Sequence, residues 1–371
     1  AIGVGVNVAA AYARVENPAA MAAKSAEIGG ALRVLSEGVN NAASTIRNLN
    51  VSGVAVGVMT GYAYAQGAFE ARMSLPAGAT VRAASIEVLS DALARAVTLV
   101  EPSLGGVSLN AVGVRVNIGI ANVSTTTNAL IERAGSGELP SITSGGEMRV
   151  RALVNADADA RVTTAGLSFG GVAIAVNVAS ANQHGTQLAK VEGVKATAPS
   201  MLVEALVNQE ADGKGAHSIV GAAGGPNVNL QVANIGANTA LARNAHSSAA
   251  SIVGSVLEIA NALTIQARGA IRALADVEVG TTTTLVNVAL MQTIASAEAD
   301  LSANLELGGG SVSAGTLTLL ADYNNDATAK VAPGGSAADI ALGSVTTNTA
   351  KANTNTRATA KAGGNGTLKT T

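Results

Sequence analysis

Residues 172–180 read VAIAVNVAS: Val172, Ile174, Val176 and Val178 occupy one side of a two-residue alternation, and Ala173, Ala175, Asn177 and Ala179 the other. Period two over this length is the pattern of a β-strand, because successive side chains of an extended chain point to opposite faces. The phrase returns as GVGVNVAA at 3–10, GVAVGVMT at 53–60, VGVRVNIGI at 112–120 and LVNVAL at 285–290. Aligned on this phrase, Asn7, Asn117, Asn177 and Asn287 fall in equivalent places, with Gly57 in that slot of the second unit. Stacked side-chain amides can donate and accept along such a row. Asn117 and Asn177, in adjacent units, are therefore expected to bond directly, whereas Asn7 and Asn287 are expected to lack a like neighbour. Around Leu230–Ala237 the alternation slips by one, which predicts a bulge or a local shift.

A second phrase is written six times between these strands. Its apolar anchors are Val34, Val88, Val150, Val203, Ile265 and Leu319, separated by 54, 62, 53, 62 and 54 residues. Two places on stand Ser36, Ser90, Ala152, Ala205, Ala267 and Ala321; eight places on stand Ala42, Ala96, Ala158, Ala211, Ala273 and Ala327. A unit this small cannot bury its apolar face without its neighbours, so the period decides the architecture. The expectation is an all-β fold: an elongated β-solenoid (β-helix) of about six stacked repeats of roughly 50–60 residues, each repeat one wide coil. The chain is then a single array, 1–371, with units near 1–50, 51–105, 106–166, 167–227, 228–283 and 284–338 and a partial unit 339–371. The alanines at plus eight would line the place where two sheets approach closely.

Shorter β-like segments, such as TQLAKVE at 186–192 and ARMSL at 71–75, lie between the two phrases. Turn signals stand at Pro76–Gly78, Gly135–Pro140, Gly224–Pro226, Gly308–Gly310 and Pro333–Gly335. Residues 17–35 and 90–100 are Ala-rich and have good helix propensity. The segments aligned with 90–100 read ALVNADADARV and ADYNNDATAKV, whose alternating Asn and Asp favour strands.

Composition agrees with a thin core. Apolar residues make up 48% of the chain but aromatics only 2%, and 42 glycines supply turns. With 23 basic and 25 acidic side chains the net charge is -2, so no field of one sign attracts a polyanion, and few aromatics are present to stack on bases. No nucleic-acid partner is expected. Membrane insertion is not expected either: no apolar run approaches the ~18 residues of a spanning helix, and the aromatic girdles of a membrane barrel are missing. Cys is absent, which removes disulfides and thiolate chemistry and suits a secreted chain. The opening AIGVGVNVAA has neither an initiating Met nor a signal pattern, as in a mature or excised segment.

Candidate chemistry is sparse. His184, His217 and His246 sit in NQHGT, GAHSI and NAHSS at spacings that do not match the unit. Asp157 with Asp159, Asp276 with Glu278, and Glu298 with Asp300 each share one strand face, as expected of a solvated outer face. Such pairs can take a hard cation singly. The repeated calcium nonapeptide is absent, the nearest string being GGSAAD at 334–339, so no cofactor is expected, and any Ca2+ would be at scattered, unorganised sites. A β-helix polysaccharide-active enzyme would need acids and a base on one exposed face, and nothing concentrates them. Thr125–Thr127, Thr281–Thr284 and the Thr-rich tail from Thr346 suggest a water- or ice-ordering array, but at unequal places in the units.

GGVAIAVNVAS at 170–180, repeated with LTIQA-type strands at 263–267, resembles the Ala-, Val- and Gly-rich tandem repeats of giant bacterial surface proteins. The named groups are leukotoxin-type filamentous adhesins and large autotransporter passengers. The likeness covers nearly the whole chain and carries over no functional residue. It implies an extracellular or cell-surface filament with adhesion or scaffolding as its role. The expected function is therefore a non-enzymatic structural segment of a filament or adhesin stalk. Its partners would be further repeats or other copies, end to end or laterally. The alternative is a module that binds host or cell-surface glycans or proteins.

Overall fold

The computed structural model describes residues 2–47, 54–101, 107–163, 167–208, 214–221, 228–279, 281–333 and 340–370. Its strands are β1 (Ile2–Met21), β2 (Ser25–Arg47), β3 (Val54–Pro76), β4 (Thr80–Glu101), β5 (Val107–Ala134), β6 (Ser141–Ser144), β7 (Met148–Thr163), β8 (Leu167–Glu192), β9 (Lys195–Ala198), β10 (Met201–Val207), β11 (Ala216–Gly221), β12 (Val228–Val253), β13 (Val256–Val279), β14 (Thr281–Glu306), β15 (Ser311–Pro333), β16 (Ile340–Gly363) and β17 (Thr367–Thr370). The fold is all-β. The Ala-rich stretches 17–35 and 90–100 lie in β1, β2 and β4 without a helical turn.

Successive strands alternate between two sheets. The first sheet is ordered β1-β3-β5-β8-β12-β14-β16, and the second runs from β2 and β4 through the split strands to β13, β15 and β17. Every pairing is parallel, and each repeat gives one long strand, or one strand in pieces, to each sheet. The long strands have 20–28 residues. At ~3.3 Å per residue they extend roughly 65–90 Å, whereas seven strands at ~4.8 Å stack only about 29 Å high. The expected elongation along the stack is thus corrected: this length of chain is a slab, longest along its strands.

The six anchors stack in unbroken register: Val34 on Val88, Val88 on Val150, Val150 on Val203, Val203 on Ile265 and Ile265 on Leu319. Turns from the first sheet to the second use glycine where the backbone is left-handed, as at Gly193 (φ 61) and Gly254 (φ 54), conformations that a side chain disfavours. The signals at Pro76–Gly78, Gly135–Pro140 and Gly308–Gly310 fall at these turns. Gly224–Pro226, and Gly334 and Gly335 after Pro333, lie outside the described residues.

Just before the anchors the second sheet is interrupted. From the last paired residue to the next common row is four steps in β2 (Ile28 to Leu32), three in β4 (Ala83 to Ile86), four from β6 to β7 (Ser144 to Met148) and three from β9 to β10 (Ala198 to Met201). Neighbouring units therefore differ by one residue here, and the extra residue breaks a strand or bulges. As a result β4, β6, β9, β13, β10 and β7 close into a six-stranded parallel circuit, a barrel by connectivity. Its two halves are the segments on either side of this interruption.

Two apolar clusters lie between the sheets. One, toward the ends of the first-sheet strands, packs Met73, Leu75, Ile131, Val191 and Leu305 against Val88, Val150, Val203 and Ile265. The other, over their middles, is mostly alanine and includes the buried Phe69. In the alanine region the hydroxyls of the second sheet reach the backbone of the first: Ser44 donates to the Ala9 carbonyl at 2.9 Å, Ser90 to Phe69 at 2.9 Å and Thr98 to Ile120 at 2.7 Å. Such direct bonding requires small facing side chains and draws the sheets together.

Candidate functional site

Of the alanines at plus eight, Ala42, Ala96, Ala158 and Ala273 are buried between the sheets, and Ala327 is half-buried in β15. Ala211 lies outside the described residues, and Ala216 occupies the row with Ala158 and Ala273. The offset between the third and fourth units grows from 53 at Val154 and Val207 to 58 at Ala158 and Ala216, so five extra residues are accommodated before the row resumes.

The asparagine row is real but differs in membership. It runs Asn7, Met59, Asn117, Asn177, Asn238, Met291, Asn348. Met59 takes the place expected of Gly57. Asn117 Nδ2 donates to Asn177 Oδ1 at 2.7 Å, and Asn177 Nδ2 to Asn238 Oδ1 at 2.7 Å. Asn287 belongs to another row, four residues nearer the strand start, where Asn234 Nδ2 donates to its Oδ1 at 3.1 Å. The register of the whole strand overrides the local likeness of LVNVAL. The slip near Leu230–Ala237 inserts no residue: β12 keeps an offset of 61 from β8 on both sides, and only the pair at Val232 and Gly171 is skipped.

Charged side chains pair between units along the strand register. Arg33 meets Glu87 at 2.7 Å, Arg151 meets Glu204 at 2.8 Å, and Arg95 meets Asp157 at 3.3 Å. Asp159 pairs with Arg161 at 2.9 Å and Asp276 with Lys330 at 3.7 Å, so these acids are engaged in ion pairs. Burial pushes the Asp157 carboxyl above its usual range. Among the described residues no group of three or more His, Asp or Glu could hold a metal ion.

A groove with convergent polar groups crosses the outer face of the first sheet and has a volume of about 580 Å³. Its flanks are two rows: Ser124, His184, Ala245, Glu298, Asn355 and, two residues on, Thr126, Thr186, Ser247, Asp300, Arg357. Glu298 is held by Arg243 at 3.2 Å and by Ser296 at 3.1 Å. His184 is shifted below the usual histidine value by burial and by Arg243. Between the flanks, on the inner face, His246 is buried with neither ring nitrogen hydrogen-bonded, and burial, with a further contribution from His184, lowers its pKa to about 3. Gly185 makes room for it: a Cβ there would lie 3.0 Å from the ring and 2.4 Å from the Thr125 carbonyl.

AEADL marked Glu298 and Asp300 as a pair on one face, and NQHGT marked His184. Thr126 belongs to the Thr125–Thr127 run, read as a water-ordering array, whereas Arg357 and Ser124 carry no local signal, because they join the groove only through stacking of units about 60 residues apart. Hydroxyl, amide, carboxylate and guanidinium groups at strand spacing can hydrogen-bond a polyhydroxylated ligand. The groove has no aromatic platform and no paired nucleophile and base.

Comparison of the chain with protein-family models, with curated proteins and with solved structures returns no match in any of the three.

Proposed function

We propose that this chain is a length of β-solenoid whose role is structural: a segment of an extracellular filament or adhesin stalk. The observation that carries the reading is that both parallel sheets run through every repeat and stop at long edge strands. Among the described residues β1 and β2 are paired on one side only, as is β16, and β15 is paired on its outer side only by the four-residue β17. Unpaired edges of 20 or more residues template further strands. Further repeats or another copy would continue the ladders, and the ion pairs between units would hold their register. The product is a ribbon roughly 80 Å wide with a ~4.8 Å repeat along its axis. Negative-stain imaging and fibre diffraction test this. Ribbons of that width with a meridional 4.8 Å reflection are expected, and compact particles of fixed mass at all concentrations would sink the reading.

The groove favours a second reading, a glycan-binding module. A glycan array probed with the native chain and with Asp300→Ala and Arg357→Ala separates the two, since a scaffold gives no signal for the substitutions to remove.

A further inference from the structure

The first sheet reverses its polarity along its length. Over the leading rows the inner face carries mainly small or amide residues such as Gly5, Ala55 and Asn117, with Met59 and Arg115 among them, and the outer face carries mainly Val, Ile and Leu. One outer row runs from Val4 through Val114 and Ile174 to Val345, and the next from Val6 through Val176 and Leu290 to Thr347. Val4 is 73% exposed, Val6 66% and Leu290 49%. In the outer rows through Val112, Val4, Val6 and Val8 there is no Asp, Glu, Lys or Arg on any of the seven strands.

The row through Val8 carries Thr60, Thr239, Gln292 and Thr349, so the apolar patch is the three rows through Val112, Val4 and Val6. Across seven strands these cover about 20 by 34 Å, or roughly 700 Å². The largest apolar patch of an ordinary monomer is ~300–600 Å². Two such faces pressed together bury about 1,400 Å², within the range of a standard stable interface. The shape also selects the occupant. Straight rows of β-branched side chains fit a sheet face with the same rows, interdigitating at ~10 Å, and a two-fold axis through the patch brings like rows together. A partner recognised by charge finds nothing to pair with here. We propose that this leading outer face is a homodimer interface in which two copies of the chain pack sheet to sheet. The proposal concerns a face, so it stands or falls independently of how the strand edges are continued.

The chain has no cysteine, which permits a direct test. Val116→Cys, Val176→Cys and Ala237→Cys place a thiol at three adjacent strands of one outer row, and Asn128→Cys places one on the outer face beyond it. A bismaleimide of ~10 Å reach matches the sheet-to-sheet distance. Copies joined edge to edge hold equivalent residues about 34 Å apart, out of that reach. The expected result is crosslinking to twice 36.3 kDa for at least one of the three row variants and not for Asn128→Cys. In sedimentation, the double variant Val116→Lys, Val176→Lys, with native circular dichroism, should raise the dimer Kd about 100-fold or more, because it buries unpaired charge. Should the lysine pair unfold the chain, Val116→Thr with Val176→Thr keeps the shape and should still weaken the dimer. Failure of all three row variants to crosslink while folded overturns the proposal. So does a folded lysine variant of unchanged dimer mass, and so does a monomer that floats with phosphatidylcholine vesicles, which would assign the face to lipid. Crosslinking without ribbons would leave the dimer standing and remove the filament.

Discussion

The trailing and leading ends of the first sheet belong to the same strands and obey the same alternation, yet they bury opposite residues. At the trailing end the inner face holds Met73, Ile131, Val191 and Leu305, fully or nearly buried against the second sheet's anchors, and the outer face holds charge such as Glu70, Arg72 and Glu132. At the leading end the inner face is mostly alanine, glycine and asparagine, interrupted by Met59, Arg115 and Met291, with Val and Ile predominating outside. The difference lies in what stands opposite. Where Val88, Val150 and Ile265 face the first sheet, the gap needs large side chains to fill it. Where Ser44, Thr98 and Ser218 bond directly to the first sheet's carbonyls, the inner row Ala9, Gly61, Gly119, Ala179 and Ala240 is small, a Cβ at Gly61 falling 2.7 Å from the Thr98 methyl, and the aliphatic set lies on the other face.

The largest expected effect breaks the trailing end alone. Ile265→Asp puts a carboxylate where no cation faces it and should cost more than about 4 kcal/mol, enough to unfold the affected repeats. Val114→Asp, on the leading outer face, should cost less than about 1 kcal/mol when urea melts are run at high dilution. Equal losses would mean that the leading outer face is packed within the monomer.

Asn177→Leu tests the inner leading face. Removing this amide leaves the Asn117 donor and the Asn238 acceptor unpaired, at about 1–3 kcal/mol for each buried group that water cannot reach. The same change at a wholly apolar position would be nearly neutral, so a small loss would show that water enters between the sheets there.

His246 titrates only in the unfolded chain over most of the acid range. Its folded pKa, about 3, lies below the usual 6.5. Above pH 6.5 both states are neutral and the group contributes nothing to pH dependence. As pH falls below 6.5 the unfolded state binds the proton first, so stability declines by up to about 1.4 kcal/mol per pH unit and levels off near pH 3. Subtracting the profile of His246→Leu from that of the native chain isolates this slope, and a flat difference between pH 6.5 and 3 would mean that the ring is solvated.

Much of the architecture was legible because aligning units in the sequence is the same operation as pairing them in a sheet. Val34 and Val88 match in the text and are hydrogen-bonded neighbours in the fold. The errors arise where a local phrase is a poor guide to a register set by more than twenty residues. LVNVAL looks like the Asn177 phrase, but its strand pairs Met291 with Asn238 and sends Asn287 to Asn234. At Ala211 five additional residues shift the row to Ala216. The groove was legible at Glu298, Asp300, His184 and the Thr125–Thr127 run but not as one site, since its rows are assembled across units. The polarity reversal was invisible for a deeper reason: period two says that a strand has two faces and leaves open which one is inside.

The smallest effect is also the sharpest comparison. Val191→Thr and Val176→Thr are the same chemical change on one strand, β8, and both keep a β-branched shape, so strand propensity cancels between them. Val191 is fully buried at the trailing end, and a hydroxyl there finds no partner among Ile131, Ile252 and their neighbours. The expected cost is about 1–2 kcal/mol. Val176 is half-buried on the leading outer face, where the hydroxyl meets water in the monomer. The expected change is within about 0.5 kcal/mol in dilute solution. At concentrations where the faces pair, the Val176→Thr loss should grow while the Val191→Thr loss stays fixed, because only the first position exchanges water for another chain. Urea midpoints measured across a dilution series read both numbers from the same pair of proteins. Losses that run in parallel at every concentration would place Val176 in the interior and remove the distinction between the two ends.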